Sequence, residues 1–336
     1  MTDLSSLYMG LCLRNPLVAS ASPLSRTADG VRRLADAGVG AVVLYSLFEE
    51  QIREEAAVDA MLVDAGTESF AESLSYFPSA TAEDSGPRKY LSLVERAAAA
   101  VTIPVIASLN GASPGGWVDY ARKVEESGAA AIELNMYFLP EGNGRDVEQR
   151  HLEVLAAVRE AVDIPIALKL SPYFSSTSEM ARCLDEAGVD ALVLFNRFPL
   201  PDIDPETVAV VHRVDLSSPA EGRLARMWIA LLHRKVKASL AATTGVETPE
   251  DVVRYLLAGA DVVMTASALL RHGPEYAGVL LDGLSQWMER KGFATVREFR
   301  GLLAVPPDAD GSLFEREGYV AALRVANLSS LSYWAR

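Results

Sequence analysis

The chain has 336 residues, of which 50% are hydrophobic, and its formal net charge at pH 7 is −14. Because phosphate binding needs clustered Lys and Arg, this acidic balance argues against a nucleic-acid partner or an anionic membrane surface. No apolar run approaches the roughly 20 residues of a membrane-spanning helix and no signal peptide is visible, so we expect a cytoplasmic protein.

Short apolar runs recur eight times along the chain, at residues 15–23, 41–46, 103–108, 130–135, 164–169, 190–196, 236–242 and 260–265. Most are separated by helical patterns that end in glycine, as at Gly128, Gly188 and Gly259, where the left-handed conformation of a helix C-terminus favours this residue. Continuous apolar runs, rather than alternating ones, are typical of a parallel sheet covered by helices. Eight such units predict an α/β fold of the (β/α)8 TIM-barrel type.

Three segments do not fit this repeat. Residues 47–85 form a long acidic insert after the second strand, and residues 197–218 form a Pro-containing insert after the sixth, with a strand-like run at 208–211. Long loops of this kind are commonly lids or binding loops. Residues 292–336 form a predicted helical tail. We find no composition break, so residues 1–336 are predicted to form a single domain.

The polar residues that follow the strands are the functional candidates, because the active sites of barrel enzymes lie at the carboxyl ends of the strands. Lys169 is notable because it ends the buried run Ile164–Leu168, where an unpaired ammonium would be costly. Three interpretations stay open: a structural pair with Glu133, a Schiff-base nucleophile in a non-redox phosphate-binding barrel, or a positive charge beside an electron-rich cofactor.

The ends of the seventh and eighth strands predict a phosphate site. Thr244 and Gly245 close the seventh strand, and Ala266 and Ser267 close the eighth with residues small enough for backbone N–H groups to approach an oxyanion. Ordinary turn chemistry is the alternative, because Thr, Ser and Gly are common in turns. The two cysteines and four histidines have no metal-ligand spacing.

Several stretches together resemble the dihydroorotate dehydrogenases, in a divergent form of their soluble FMN-binding branch. They are Glu133-Leu-Asn135, Ile166-Ala-Leu-Lys-Leu-Ser-Pro172, Gly245-Val-Glu-Thr248 and Gly259-Ala-Asp-Val-Val263. The resemblance implies an oxidoreductase that acts on CH–CH groups, uses FMN, takes a small-molecule substrate such as dihydroorotate in pyrimidine biosynthesis, and forms a homodimer. It also implies substrate contacts at Asn135 and Asn196, and flavin contacts at Ala19, Ser20, Ala21, Ser46, Asn135, Lys169, Thr244, Gly245, Ala266 and Ser267.

The sequence departs from the family pattern on the substrate side of this site. Phe138 stands where the family has the Cys or Ser that accepts a proton from dihydroorotate, and Tyr45 replaces a Lys beside the flavin. Phe77-Pro78-Ser79 replaces a Leu-Pro-Asn stretch. Because a positioned base contributes about 10²–10⁴-fold in rate, an oxidoreductase acting on a different CH–CH or C=C substrate is the alternative function.

Overall fold

The computed structural model describes residues 2–52, 86–111, 117–136, 142–197, 201–211, 215–309 and 316–325. Eight parallel strands form a closed barrel, in the order β11-β12-β3-β4-β5-β6-β7-β8. They are β3 (Leu17–Ala19), β4 (Ala41–Phe48), β5 (Val105–Gly111), β6 (Ala131–Met136), β7 (Ile166–Leu170), β8 (Ala191–Leu194), β11 (Ser239–Ala242) and β12 (Val262–Thr265). Each predicted apolar run overlaps one of these strands, and β4, β5, β6 and β7 extend past the ends of their runs. The predicted (β/α)8 barrel is confirmed.

Helices follow the barrel strands and cover the outside of the barrel. Their ends are fixed locally: the Thr27 side chain accepts a hydrogen bond from Gly30 N at the start of the first helix, and Gly259 ends another helix at φ 118°. The α-helices span Ala28–Asp36, Gly86–Ala100, Trp117–Glu126, Gly144–Arg159, Thr177–Glu186, Gly222–Leu232, Pro249–Ala258, Ser267–His272, Tyr276–Lys291 and Val296–Phe299. Short 3-10 turns span Pro23–Ser25 and Pro219–Glu221.

The barrel separates two apolar layers, because side chains alternate between its two faces along every strand. In β6, Ile132 and Leu134 belong to the larger core between the strands and the helices. Ala131 belongs to the smaller core inside the barrel. Glu133 and Asn135 share the inward face with Ala131. The polar candidates of β6 therefore point into the barrel interior.

An N-terminal hairpin, absent from the sequence prediction, closes the amino end of the barrel. Strands β1 (Ser6–Tyr8) and β2 (Leu11–Leu13) are antiparallel. Met9 N donates to Ser239 Oγ at 3.1 Å, and the buried Tyr8 side chain packs with the core inside the barrel. The hydrogen bond to Ser239, at the beginning of β11, and the packing of Tyr8 inside the barrel fix the hairpin in this position. The hairpin thus forms the floor of the barrel.

The three predicted inserts need corrections at their boundaries. Strand β4 continues to Phe48 and residues 49–52 are helical, so the first insert does not begin as a loop at residue 47. The second insert contains a hairpin of β9 (Asp202–Asp204) and β10 (Ala209–Val211), which confirms most of the predicted strand-like run. The C-terminal tail is helical at Val296–Phe299 and at residues 316–325, with turns after the first of these. The single-domain assignment stays a prediction.

Within the described residues, no helix combines the length and the apolar character needed to cross a membrane.

Candidate active site

The carboxyl end of the barrel brings polar side chains from neighbouring strands to one level. Asn110 of β5 pairs in register with Asn135 of β6, which pairs in turn with Lys169 of β7. All three side chains are buried. Because register partners lie side by side on the same face of a sheet, these groups form a polar rim above the apolar interior.

Lys169 and Glu133 form a buried ion pair beneath this rim. Lys169 Nζ lies 3.5 Å from Glu133 Oε1, with side-chain exposures of 9% and 0%. Lys169 also lines the cavity at the barrel mouth, whereas Glu133 is enclosed. Pairing offsets part of the cost of burying each charge. Of the three interpretations of Lys169, the structural pair with Glu133 is thereby confirmed.

Asn135 and Asn196 connect β6 to the segment that follows β8. Asn196 Nδ2 donates to Asn135 Oδ1 at 2.7 Å, and the Asn196 backbone N donates to Leu170 O at 2.7 Å. The backbone bond fixes the position of Asn196, and the side-chain bond orients its amide group. The two predicted substrate residues are therefore in direct contact.

The second and third barrel strands are joined by hydroxyl groups. Ser46 Oγ and Ser108 Oγ are 2.8 Å apart, and the Tyr90 hydroxyl bonds both the backbone N and the backbone O of Ser108. Tyr45 turns toward the outer helices, with its ring edge-on to Tyr90 at 5.3 Å between centroids. Burial raises the pKa of Tyr45, and the nearby Arg26 guanidinium only partly opposes this. A raised pKa makes Tyr45 a poor base at neutral pH.

A cavity of about 250 Å³, partly open to solvent, lies at the barrel mouth. Its volume is just below the roughly 300–1,000 Å³ of small-molecule and cofactor sites. Eight of the predicted site residues line it: Ser20, Ala21, Lys169, Asn196, Thr244, Gly245, Ala266 and Ser267. Ala19, Ser46 and Asn135 do not. The Ala19 side chain packs in the outer core instead, and Asn135 is hydrogen-bonded to Asn196, which does line the cavity.

The predicted phosphate edge is built on left-handed backbone. Thr244 has φ 77° and Gly245 has φ 71°. A Cβ atom on Gly245 would lie 2.7 Å from Gly222 N and 2.8 Å from Ser218 O, so only glycine allows this close approach. The turn after β11 is thereby packed directly against the start of the helix Gly222–Leu232.

Ser217, which is not among the predicted site residues, lies at the centre of this edge. Its hydroxyl accepts from Gly245 N at 3.2 Å and lies 2.9 Å from Ser267 Oγ, and its backbone N donates to Ser267 Oγ at 3.0 Å. The capping pattern that begins at Ser218-Pro219 was the available sequence signal, because it marks the end of the insert. Ser217 thus joins the two turns that were predicted separately.

An ion pair holds the Ser217 segment in place. Arg197 Nη2 lies 3.0 Å from Glu221 Oε1, and Arg197 also donates to the backbone O of Asp215. Glu221 in turn accepts from Ser218 N at 2.5 Å. Burial by itself would raise the pKa of Glu221, but the Ser218 N–H and the Arg197 charge outweigh it, and the pKa is lowered. The carboxylate is therefore held in its charged form.

Two features of the sequence prediction lie outside the described residues: Phe138 and Phe77-Pro78-Ser79. Among the residues that the structure describes, no group of three His, Cys, Asp or Glu side chains is arranged to hold a metal ion.

Comparison with known proteins identifies the family. The sequence model of the dihydroorotate dehydrogenase family matches residues 66–288, about two thirds of the chain. The chain belongs to the dihydroorotate dehydrogenase family. The predicted resemblance is thereby confirmed, and so is the enzyme class, since the members of this family are oxidoreductases.

Curated relatives match along most of their length. The catalytic subunit of dihydroorotate dehydrogenase B (NAD(+)) from Methanothermobacter thermautotrophicus is 31% identical over 311 residues, covering 86% of this chain and 95% of the relative. A putative dihydroorotate dehydrogenase A (fumarate) from Aeropyrum pernix is 30% identical over 225 residues, covering 64% and 72%. Members of the dihydroorotate dehydrogenase family with different electron acceptors are thus similar to this chain.

A solved structure of the family shares the fold. Dihydroorotate dehydrogenase from Eimeria tenella, determined in complex with ferulenol, superposes with a TM-score of 0.64 over 90% of this chain and 89% of that one. At 13% identity the likeness concerns the barrel alone.

Proposed function

We propose that this protein is an FMN-dependent oxidoreductase of the dihydroorotate dehydrogenase type, which oxidises dihydroorotate to orotate in pyrimidine biosynthesis. The observation that carries the proposal is the position of Lys169. It places a buried cation in the cavity that the Thr244–Gly245 turn and Ser267 also line. A flavin nucleotide needs both features, a cation near the ring and small residues around the phosphate.

The described residues fit FMN at both ends. Thr244, Gly245, Ala266 and Ser267 would hold the phosphate, because they line the cavity with short side chains. A Cβ atom on Gly245 would collide with the backbone of Gly222 and Ser218, so glycine keeps this turn in place. Ser217, which also lines the cavity, would be a further contact, and its bond from Gly245 N orders this edge.

The remaining predicted residues would hold the flavin ring and the substrate. Backbone near Ala19, Ser20 and Ala21 would face the ring, with Ser46 beside it. Of these, Ser20 and Ala21 line the cavity. When bound, FMN supplies the hydride acceptor of the reaction. The Lys169 ammonium would stabilise negative charge on the ring, because a fixed cation in a dry site needs no reorganisation during the reaction.

Asn135 and Asn196 would bind and orient the substrate. Their mutual hydrogen bond uses one Asn196 donor and one Asn135 acceptor, so the Asn135 NH₂ group and the Asn196 carbonyl stay available for a ligand. An amide pair of this kind matches a planar ring that carries both N–H and C=O groups, as dihydroorotate does.

A second candidate function is supported by Phe138, which cannot accept a proton at the position of the family's base. On this alternative, the protein is an FMN-dependent oxidoreductase for a different CH–CH or C=C substrate. Tyr45 does not restore the missing base, because burial raises its pKa.

Flavin spectroscopy tests both candidates. We expect the protein reconstituted with FMN to show a yellow flavin spectrum, and a colourless protein would contradict both. Anaerobic mixing of the wild type with dihydroorotate should bleach the flavin if dihydroorotate is the substrate. If only Phe138→Cys is bleached by dihydroorotate, the second candidate is supported. Borohydride trapping of Lys169 with a carbonyl compound would instead support the non-redox barrel.

We further propose a cytoplasmic homodimer. The support is the resemblance to the soluble FMN-binding branch, in which dimers are common. Light scattering coupled to size exclusion checks the dimer, which would have twice the 36.1 kDa mass of the chain.

A further inference from the structure

The barrel interior beneath the cavity contains two buried polar atoms without partners among the described residues. Among the described residues, no group hydrogen-bonds Tyr8 Oη or Glu133 Oε2. Both side chains are 0% exposed. Buried oxygen atoms are usually hydrogen-bonded, because an unsatisfied one costs roughly 1–3 kcal/mol. Two of them on the inner side of one barrel require an explanation.

Glu133 is a costly choice for its position. Its register partners are uncharged, Ser108 on β5 and Ala167 on β7, and Val193 and Ala241 add apolar surface inside the barrel. A leucine or alanine would therefore suit the surroundings better than a carboxylate. The described cation within ion-pair distance is Lys169, and only Oε1 contacts it. The charge of Glu133 is thus directed at one group, and that group faces the cavity.

The surrounding groups make this charge act strongly. Tyr8, from the N-terminal hairpin, packs inside the barrel and helps to close it from below. Burial is the main cause that raises the pKa of Tyr8, and the negative charge of Glu133 adds to it, so the hydroxyl lies within the field of the carboxylate. Burial is also the main cause that raises the pKa of Tyr90, and the charge of Glu133 adds to it. Apolar and uncharged neighbours screen charges poorly, so the charge of Glu133 is only weakly screened from Lys169.

We propose that Glu133 is a positioning residue for Lys169: it fixes the ammonium at the end of β7 and partly offsets its positive charge, which weakens the attraction of the site for an anionic ligand or a reduced ring. The offset is partial because Lys169 lines the cavity whereas Glu133 is enclosed beneath it. The proposal rests on the proposed function insofar as the ring in question is that of FMN. Its consequence is that Glu133 sets the reduction potential of the bound flavin without contacting it.

Sulfite binding measures this charge independently of turnover. Sulfite adds through its sulfur lone pair to the oxidised flavin ring, and the ring takes up the negative charge. Because Glu133→Gln removes the opposing carboxylate, we expect the Kd for sulfite to fall about tenfold, and the flavin reduction potential to rise. Glu133→Asp, which keeps the charge but retracts it, should lie between the two and serves where Glu133→Gln folds poorly.

Tyr8→Phe is the matched control, because it removes a buried hydroxyl from the same barrel interior without changing the charge. It should leave the Kd for sulfite within about twofold of the wild type, since an uncharged group has a small effect on a distant anion. If Glu133→Gln binds FMN but shifts neither the Kd for sulfite nor the reduction potential beyond that range, Glu133 is only structural and the proposal is wrong.

A double-mutant cycle without FMN separates this proposal from the proposed function. The variants are Glu133→Gln, Lys169→Met and the two combined, compared by their denaturant midpoints. We expect the combined variant to be more stable than Lys169→Met, because it lacks the unpaired carboxylate. Additive effects would overturn the positioning role. Coupled effects in a protein that binds no FMN would overturn the proposed function alone.

Discussion

Lys169 and Glu133 approach to 3.5 Å across β6 and β7, yet only Lys169 reaches the cavity. The pair is unequal for this reason. Removing the carboxylate leaves a cation that water or an anion in the cavity can still solvate. Removal of the ammonium, in contrast, leaves the enclosed Glu133 carboxyl group without its ion-pair partner.

This asymmetry predicts unequal costs in stability. Lys169→Met should lower the free energy of unfolding by about 3–5 kcal/mol, the usual cost of an uncompensated buried charge. Glu133→Gln should cost clearly less. Urea unfolding of the protein without ligand measures both values. Equal costs would show that the cavity does not solvate Lys169.

Gly245→Ala should impair FMN binding. The substitution places a methyl group against Gly222 N and Ser218 O, and so displaces the Ser217 segment from the phosphate edge. We expect the Kd for FMN to rise about tenfold or more, equivalent to at least about 1.4 kcal/mol. Fluorescence quenching of FMN measures the affinity.

Gly292→Ala is the matched control for this substitution. Gly292 has φ 78°, close to the 71° of Gly245, but a Cβ atom there would meet nothing within 4 Å. Both variants carry the left-handed strain of roughly 1–2 kcal/mol. Only Gly245→Ala should change the affinity for FMN. If both variants lose the same affinity, the displacement of the phosphate edge is not the cause.

Asn196→Ala should slow the reaction more than it weakens the cofactor complex. It removes the amide that donates to Asn135 Oδ1 and, as proposed, orients the substrate. We expect flavin reduction to slow about 10²-fold, as is typical when one positioned donor is lost. Stopped-flow absorbance, with the substrate that the bleaching experiment identifies, measures the rate of flavin reduction.

Asn143→Ala provides the corresponding control, since Asn143 caps an exposed helix start through a bond from Arg145 N to Asn143 Oδ1. This variant should lose a little stability and no flavin reduction rate. If it slows the reaction as much as Asn196→Ala does, the effect of Asn196 is not one of substrate orientation.

His233 predicts a loss of stability in mild acid. Its ring is buried between Gly259 and Gly301, and burial lowers its pKa below 6.5, with the charges of Arg300 and Arg234 adding to this. The folded protein therefore disfavours the protonated form. Stability is fully present above the unfolded pKa and falls as the pH drops from about 6.5 toward the folded pKa, by at most about 1.4 kcal/mol per pH unit.

Thermal unfolding as a function of pH checks this prediction. His233→Asn keeps a polar atom near Nδ1, which contacts Gly259 O at 3.1 Å, but cannot be protonated. It should be less stable at pH 8 and lose less stability on acidification. His151, whose pKa burial also lowers, leaves some pH dependence in place.

The sequence was sufficient to predict the barrel because the barrel follows from local pattern. Apolar runs that are continuous rather than alternating require cover on both faces, and eight of them separated by helices leave few arrangements. The same pattern identified the carboxyl ends of the strands, and with them Lys169, Asn196 and Gly245 in the cavity.

The N-terminal hairpin was missed because its signal is weak. Its strands have three residues each, and its turn has positive φ at Met9 and Gly10, where Asn-Gly would be the usual pattern. Because methionine is unusual at the first position of such a turn, the sequence does not indicate a turn at Met9-Gly10. Tyr8 therefore gave no indication that it would lie inside the barrel.

The sequence by itself determined which residues stand at the strand ends, because strand position and the alternation of side chains are local properties. Only the tertiary structure decided which of them meet. Glu133 reaches Lys169 through the register between β6 and β7. Ser217 meets Ser267 across 50 residues of chain. Such contacts depend on how strands align and loops return, and no local pattern encodes that distance.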